Sequence, residues 1–65
     1  MICKSLKTKL LYNYRFTNKS VEISDDENFV VEISYTDWCK NFYIIDKWRN
    51  LSKSDKKYNE EIKNK

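Results

Sequence analysis

The sequence predicts an α+β fold: a three-stranded antiparallel meander packed on one face by a C-terminal helix, with a helical tail behind it (βββα or βββαα). Two observations lead to this prediction. Apolar and polar side chains alternate along the first half of the chain, which is the period of a half-buried strand. After Tyr35 the apolar residues recur at the spacing of an amphipathic helix. With 65 residues, the chain has room for a single small domain over 1–65.

The first predicted strand runs from Leu6 to Phe16, where even positions are mostly apolar and odd positions are mostly polar. The turn-forming residues 17–20 follow it. A short second strand then places Val21 and Ile23 on one face. These two strands predict a hairpin.

A second loop, residues 24–28, precedes a third alternating strand that ends at Tyr35. The loop lengths predict a register in which all paired apolar residues share one face. The predicted pairs are Phe16 with Val21 and Tyr14 with Ile23 across the first loop, and Ile23 with Phe29 and Val21 with Val31 across the second.

The helix is predicted to begin after Thr36 as its N-cap, with Asp37 in its first turn. Its apolar stripe should pack on the sheet and consists of Trp38, Phe42, Ile45 and Trp48, flanked by Ile44 and Leu51. The opposite, outer side is predicted to carry Cys39, Tyr43, Asp46, Lys47 and Asn50.

Two interpretations of the tail stay open. Ser52 or Ser54 caps a second, short helix, or the first helix continues without a break through residues 37–62. A continuous helix would bring Trp48, Leu51, Tyr58 and Ile62 onto one seam. We expect residues 59–65 to be frayed in either case.

The composition argues against catalysis. The chain contains no His, Gly or Pro, so it lacks the usual proton shuttle of neutral pH and any glycine-rich phosphate loop. We therefore predict that the protein is not an enzyme, with no catalytic residue, no metal site and no cofactor. Cys3 and Cys39 are expected to be free thiols.

The strongest predicted interaction site is the helical seam together with an outward Tyr43. Its residues are Tyr43, Trp48, Leu51, Tyr58 and Ile62. A three-stranded sheet cannot cover the last two, so they would be buried by another protein, by a second copy in a homodimer, or by fold-back of the tail onto its own domain.

A weaker alternative is contact with nucleic acid. Lys7, Lys9 and Arg15 are predicted to share the outward face of the first strand, with Lys19 nearby, and such a row of cations suits phosphate groups. The aromatic residues of that strand face the core instead, where they cannot stack on bases. Protection of a sheet edge by Lys explains the row equally well.

These observations predict a small protein-binding module, an inhibitor or adaptor such as an antagonist of a host defence or regulatory protein. The bias toward Lys, Asn, Ile and Tyr suggests an AT-rich gene of a phage or another mobile element. The first residues contain no apolar run long enough for a signal peptide, and no stretch is long enough to span a membrane, so we expect a cytoplasmic protein without membrane contact.

Overall fold

The computed structural model describes residues 1–24 and 31–64, and these residues form five strands and two helices. In chain order the elements are β1 (Ile2–Ser5), β2 (Leu11–Phe16), β3 (Ser20–Ser24), β4 (Val31–Ser34), α1 (Tyr35–Asn41), β5 (Phe42–Asp46) and α2 (Lys53–Lys63). The strands form one antiparallel sheet in the order β4-β3-β2-β1-β5. The predicted α+β class and antiparallel sheet are confirmed, but the sheet has five strands where three were predicted.

A turn interrupts the first predicted strand, which is therefore wrong before Leu11. The Ser5 hydroxyl accepts hydrogen bonds from the backbone N–H groups of Lys7 (3.2 Å) and Thr8 (3.1 Å), and the Ser5 carbonyl accepts one from Lys9 (3.0 Å). Lys9 adopts a left-handed backbone conformation with φ 67°. The alternation seen in the sequence thus crosses a turn between β1 and β2.

The hairpin of β2 and β3 has the predicted register. Tyr14 lies opposite Ile23, and Phe16 lies opposite Val21. Among described residues, Tyr14 and these β3 residues contribute to the main apolar cluster, where Tyr14 is only 2% exposed. Alternating polarity and the four-residue loop were sufficient to predict this pairing.

The register between β3 and β4 differs from the prediction by two residues. Val21 lies opposite Ile33, and Ile23 lies opposite Val31. A shift of two residues leaves every side chain on its own face, so the apolar pattern does not distinguish the two registers. The predicted pair of Ile23 with Phe29 is replaced, and Phe29 itself lies outside the described residues.

Helix α1 covers the face of the sheet that carries Tyr14. Its N-cap is Ser34, whose hydroxyl accepts the N–H of Asp37 (3.2 Å), so the predicted cap Thr36 lies inside the helix. Trp38 is buried against the main cluster of Cys3, Tyr14, Val21 and Ile23. Its ring centroid lies 5.1 Å from that of Tyr14. Trp38 is the residue that attaches α1 to the sheet.

The predicted helix is wrong beyond Asn41, because residues 42–46 form strand β5. This strand pairs with β1, with Phe42 opposite Ser5 and Tyr43 opposite Lys4. Of the predicted helical stripe, Trp38 is buried, Phe42 packs partly against the core, and Ile45 and Trp48 are 44% and 92% exposed. Aromatic and β-branched residues favour extended backbone, and β1 offers them an edge to pair with.

Helix α2 begins at the predicted cap Ser52 and is separate from α1. Ser52 and Asp55 form a capping box, which confirms the two-helix interpretation of the tail. The helix continues through Lys63 where we expected fraying from residue 59. Asn59 is buried, its side-chain oxygen accepts the N–H of Leu11 (2.7 Å), and its amide donates to the Leu11 carbonyl (2.8 Å).

The chain that leads into α2 lies on the sheet face opposite α1. The Asn13 side chain, which points away from the face of Tyr12 and Tyr14, accepts the N–H of Leu51 (2.9 Å). Ile2, which also belongs to this second face, is fully buried. The sheet is therefore the middle layer between α1 and α2.

The two tryptophans provide a test of this fold, because both were expected in the core. We predict that Trp38→Ala lowers the free energy of unfolding by about 3–5 kcal/mol, since it leaves a cavity under α1. Trp48→Ala, which removes an exposed ring, should change it by less than about 0.5 kcal/mol. Urea denaturation of both variants measures the difference, and equal destabilisation would contradict the placement of Trp48.

Candidate functional site

Four exposed apolar side chains lie close together in sequence on β5 and just behind it. Tyr43, Ile44 and Ile45 are 42%, 39% and 44% exposed, and Trp48 is 92% exposed. We call these four residues the β5 surface. Single exposed apolar residues are normal, but consecutive ones on an edge strand followed by a bare indole are typical of an interaction site.

The backbone of β5 adds hydrogen-bonding groups to this surface. The Leu6 N–H donates to the Asn41 carbonyl (2.8 Å), so that carbonyl points toward the β1 side. Because the direction alternates along an antiparallel strand, Tyr43 also bonds toward β1, whereas the groups of Phe42 and Ile44 point away from it. The Phe42 N–H donates to the Trp38 carbonyl at the end of α1, so the outward groups left for pairing are the Phe42 C=O and the N–H and C=O of Ile44. Within residues 1–24 and 31–64, no strand pairs with that outer side. A further strand can therefore be added there.

A network of ion pairs holds the segment that presents Trp48. The backbone N–H of Trp48 donates to the Asp46 carboxylate (2.7 Å). The Arg49 guanidinium forms ion pairs with both Asp46 (3.2 Å) and Asp55 (2.5 Å). The hydrogen bond from Arg49, followed by those from Ser52, lowers the pKa of Asp55 to about 2, and Asp55 in turn raises the pKa of Arg49. The network connects the end of β5 to the start of α2.

Lys4 lies beside the β5 surface on the face of the sheet that carries Tyr43. Its ammonium nitrogen is 5.2 Å from the ring centroid of Tyr58, and the Tyr58 hydroxyl donates to the Lys9 carbonyl (3.2 Å). A hydrogen bond with Tyr58, and more weakly the neighbourhood of Tyr43, raises the pKa of Lys4. The ammonium group therefore stays charged at neutral pH.

The helical seam predicted from the sequence is not formed. Trp48 and Leu51 precede α2, and only Tyr58 and Ile62 lie on that helix, where both are half-buried. The tail folds back on the sheet, which was one of the alternatives left open. The homodimer predicted through this seam thus loses its geometric basis, because the four residues do not share one helix.

Tyr43 is exposed as predicted, although on a strand and not on the outer side of a helix. Ile44 and Ile45 were not predicted to be exposed, because the helical pattern assigned Ile45 to a buried stripe and Ile44 to its flank. The run of Phe, Tyr and two Ile at positions 42–45 was the signal for a strand, since such residues are enriched in sheets.

The predicted row of cations is also not formed as a row. Lys7 and Lys9 lie in the turn between β1 and β2, and Lys19 lies between β2 and β3. Arg15 is on β2, where it pairs with Glu22 across the hairpin at 2.5 Å. The cations therefore occupy different turns, and the one strand residue among them already has an acidic partner.

A second apolar patch lies at the other edge of the sheet. Phe16 and Tyr35 are 48% and 55% exposed, and their ring centroids are 5.5 Å and 6.4 Å from that of Trp38. Both rings thus extend an aromatic cluster that reaches into the core. Trp48 has no such ring contact among the described residues, which makes the β5 surface the stronger candidate.

The two thiols have different environments. Cys3 is fully buried, and burial raises the pKa of its thiol to about 11. Cys39 is exposed on α1. Within the described residues no group of three or more Cys, Asp or Glu could hold a metal ion.

Comparison with protein-family models, with curated proteins and with solved structures found no significant match to the chain. Neither α1 nor α2, the helices of the described residues, has the length and apolarity needed to cross a bilayer. The geometry of the β5 surface is therefore the basis for a functional proposal.

The carboxyl of Asp55 makes the stability of the fold pH-dependent. Its pKa is about 2 in the folded chain against an ordinary value of 3.8, so its interactions stabilise the fold above about pH 4. This stabilisation should be lost as the pH falls from about 4 to about 2. Urea denaturation across this range should show a smaller loss in Asp55→Asn than in the exposed control Asp37→Asn. Equal losses would contradict the role of the Arg49 network.

The thiols should differ in reactivity. In the folded protein we expect a maleimide to modify Cys39 quickly and Cys3 only after unfolding, because Cys3 is buried and stays protonated at neutral pH. Mass spectrometry before and after addition of urea counts the modified thiols. Rapid modification of both under native conditions would show that β1 is not buried in the sheet.

Proposed function

We propose that this chain is a small non-enzymatic protein that acts by binding another protein through the β5 surface. The observation that carries the proposal is the coincidence of three features on one edge: exposed apolar side chains, outward backbone groups and an almost fully exposed Trp48. Trp is among the residues that most often dominate binding energy at protein interfaces.

The proposed mode of binding is strand addition. An extended segment of the partner pairs with the Phe42 C=O and with the N–H and C=O of Ile44, and so adds one strand to the antiparallel sheet. Main-chain hydrogen bonds then supply affinity, while Tyr43, Ile44 and Ile45 select the side chains on either face. Trp48 covers the end of the added strand and is anchored by its N–H bond to Asp46.

The proposal extends to an inhibitor or adaptor carried by a phage or another mobile element and acting in the cytoplasm. Its support is the AT-type composition and the small size of the chain. A typical interface covers about 800 Å² on each partner, which one face of a chain with 4806 Å² of surface can supply.

Affinity capture from lysate of the cells that produce the protein tests this function. Trp48→Ser should reduce the amount of the captured protein by about 30-fold, the loss expected of an interface residue worth about 2 kcal/mol. The matched control is Tyr35→Ser, which removes an exposed aromatic ring at the opposite edge of the sheet and should leave capture unchanged.

A parallel capture from nuclease-treated lysate distinguishes binding to a protein from binding to nucleic acid. If capture disappears after nuclease treatment, the cations of the turns contact nucleic acid and the proposed function is wrong. Equal capture by wild type and Trp48→Ser would also contradict it, because the partner would then bind elsewhere.

A further inference from the structure

We propose that the strand added to β5 is an acidic segment of the partner, with an apolar or β-branched centre and carboxylates at both ends. This inference rests on the proposed function and names the chemistry of its ligand. The basis for this inference is the difference between charged groups near β5 that form ion pairs within the described residues and those that do not.

Two acidic groups near the end of β5 are neutralised within the chain. Asp46 at the end of the strand and Asp55 at the start of α2 both pair with Arg49. Asp37 lies in the first turn of α1, on the part of the helix that follows β4. The carboxylate of β5 itself, Asp46, is thus not available to attract a cationic partner.

The cations at the ends of β5 remain unpaired. Lys40 lies in the last turn of α1, two residues before the strand, and Lys47 follows directly after Asp46. Both are exposed, and neither forms an ion pair with another described residue. Lys4 adds a third positive charge beside Tyr43. The edge therefore presents an apolar centre between two positive ends.

The same charges disfavour a second copy as the occupant. Antiparallel pairing of two β5 strands would bring Lys40 of one copy to the end where Lys47 of the other copy lies. Parallel pairing would bring each Lys beside its own equivalent. Like charges facing each other across a strand pair are destabilising, and lysines at an edge are a common protection against self-pairing. A strand with terminal Glu or Asp turns the same contacts into attraction.

The test uses two fluorescent peptides that share an alternating Val/Thr core. One carries a pair of Glu at each end and the other a pair of Lys. Fluorescence anisotropy with the full chain should show about tenfold tighter binding of the Glu peptide at low salt, and added salt should reduce the difference. The double variant Lys40→Glu/Lys47→Glu should reverse the preference.

A proline variant tests the backbone part of the inference. Ile44→Pro removes an outward N–H that β1 does not use, so the fold should persist while peptide binding is lost. Ile44→Thr keeps the N–H and is the matched control. Far-UV circular dichroism and urea denaturation show that each variant is folded before its binding is compared.

Each outcome separates this inference from the proposed function. Equal binding of the two peptides, or binding of neither, overturns the acidic ligand, and the function stands if Trp48→Ser still loses its captured protein. Unchanged binding by Ile44→Pro overturns strand addition. A dimer in light scattering that Ile44→Pro abolishes would identify a second copy as the occupant.

Discussion

The fold depends on a short crossover that carries the chain from one edge of the sheet to the other. Strands β4 and β5 lie at opposite ends of the strand order, about 19 Å apart in a flat sheet of this width. The seven residues of α1 rise by only about 10 Å. The sheet must therefore curl around the helix, and Trp38 fills the concave face that results. The packing of Trp38 on Tyr14 holds this crossover against the sheet, and the chain then continues into β5 at the edge.

Alternating apolar and polar residues predict those strands in which one face is buried and the other is exposed to solvent. The hairpin of β2 and β3 meets this condition, and Tyr14 and Ile23 lie opposite each other as the pattern indicates. It fails at the start of the chain, because Leu6 continues the alternation but is half exposed in a turn organised by the Ser5 hydroxyl. A strand as short as β1 leaves too few residues to establish a period.

Some residues of the candidate site could be predicted from the sequence, but their secondary structure could not. Trp38, Phe42, Ile45 and Trp48 fit the helical period, yet the run that contains Phe42 and Ile45 also has the composition of a strand. Local sequence cannot decide between the two, because the outcome depends on the vacant edge of β1, which is distant in sequence. Tyr43 and Trp48 belong to the interaction site predicted from the sequence, whereas Ile44 and Ile45 join the candidate surface only once the strand is known.

Asn59 attaches α2 to the sheet through hydrogen bonds between its side chain and the backbone N–H and C=O of Leu11. The Leu11 side chain takes no part in these bonds. Because of this contact, the two positions tolerate different substitutions during evolution. Position 11 can exchange one aliphatic residue for another without disturbing the bond, while position 59 tolerates only a side chain with a carbonyl and an amide at this length. Diverged descendants of this gene should thus keep the asparagine long after their apolar residues have changed.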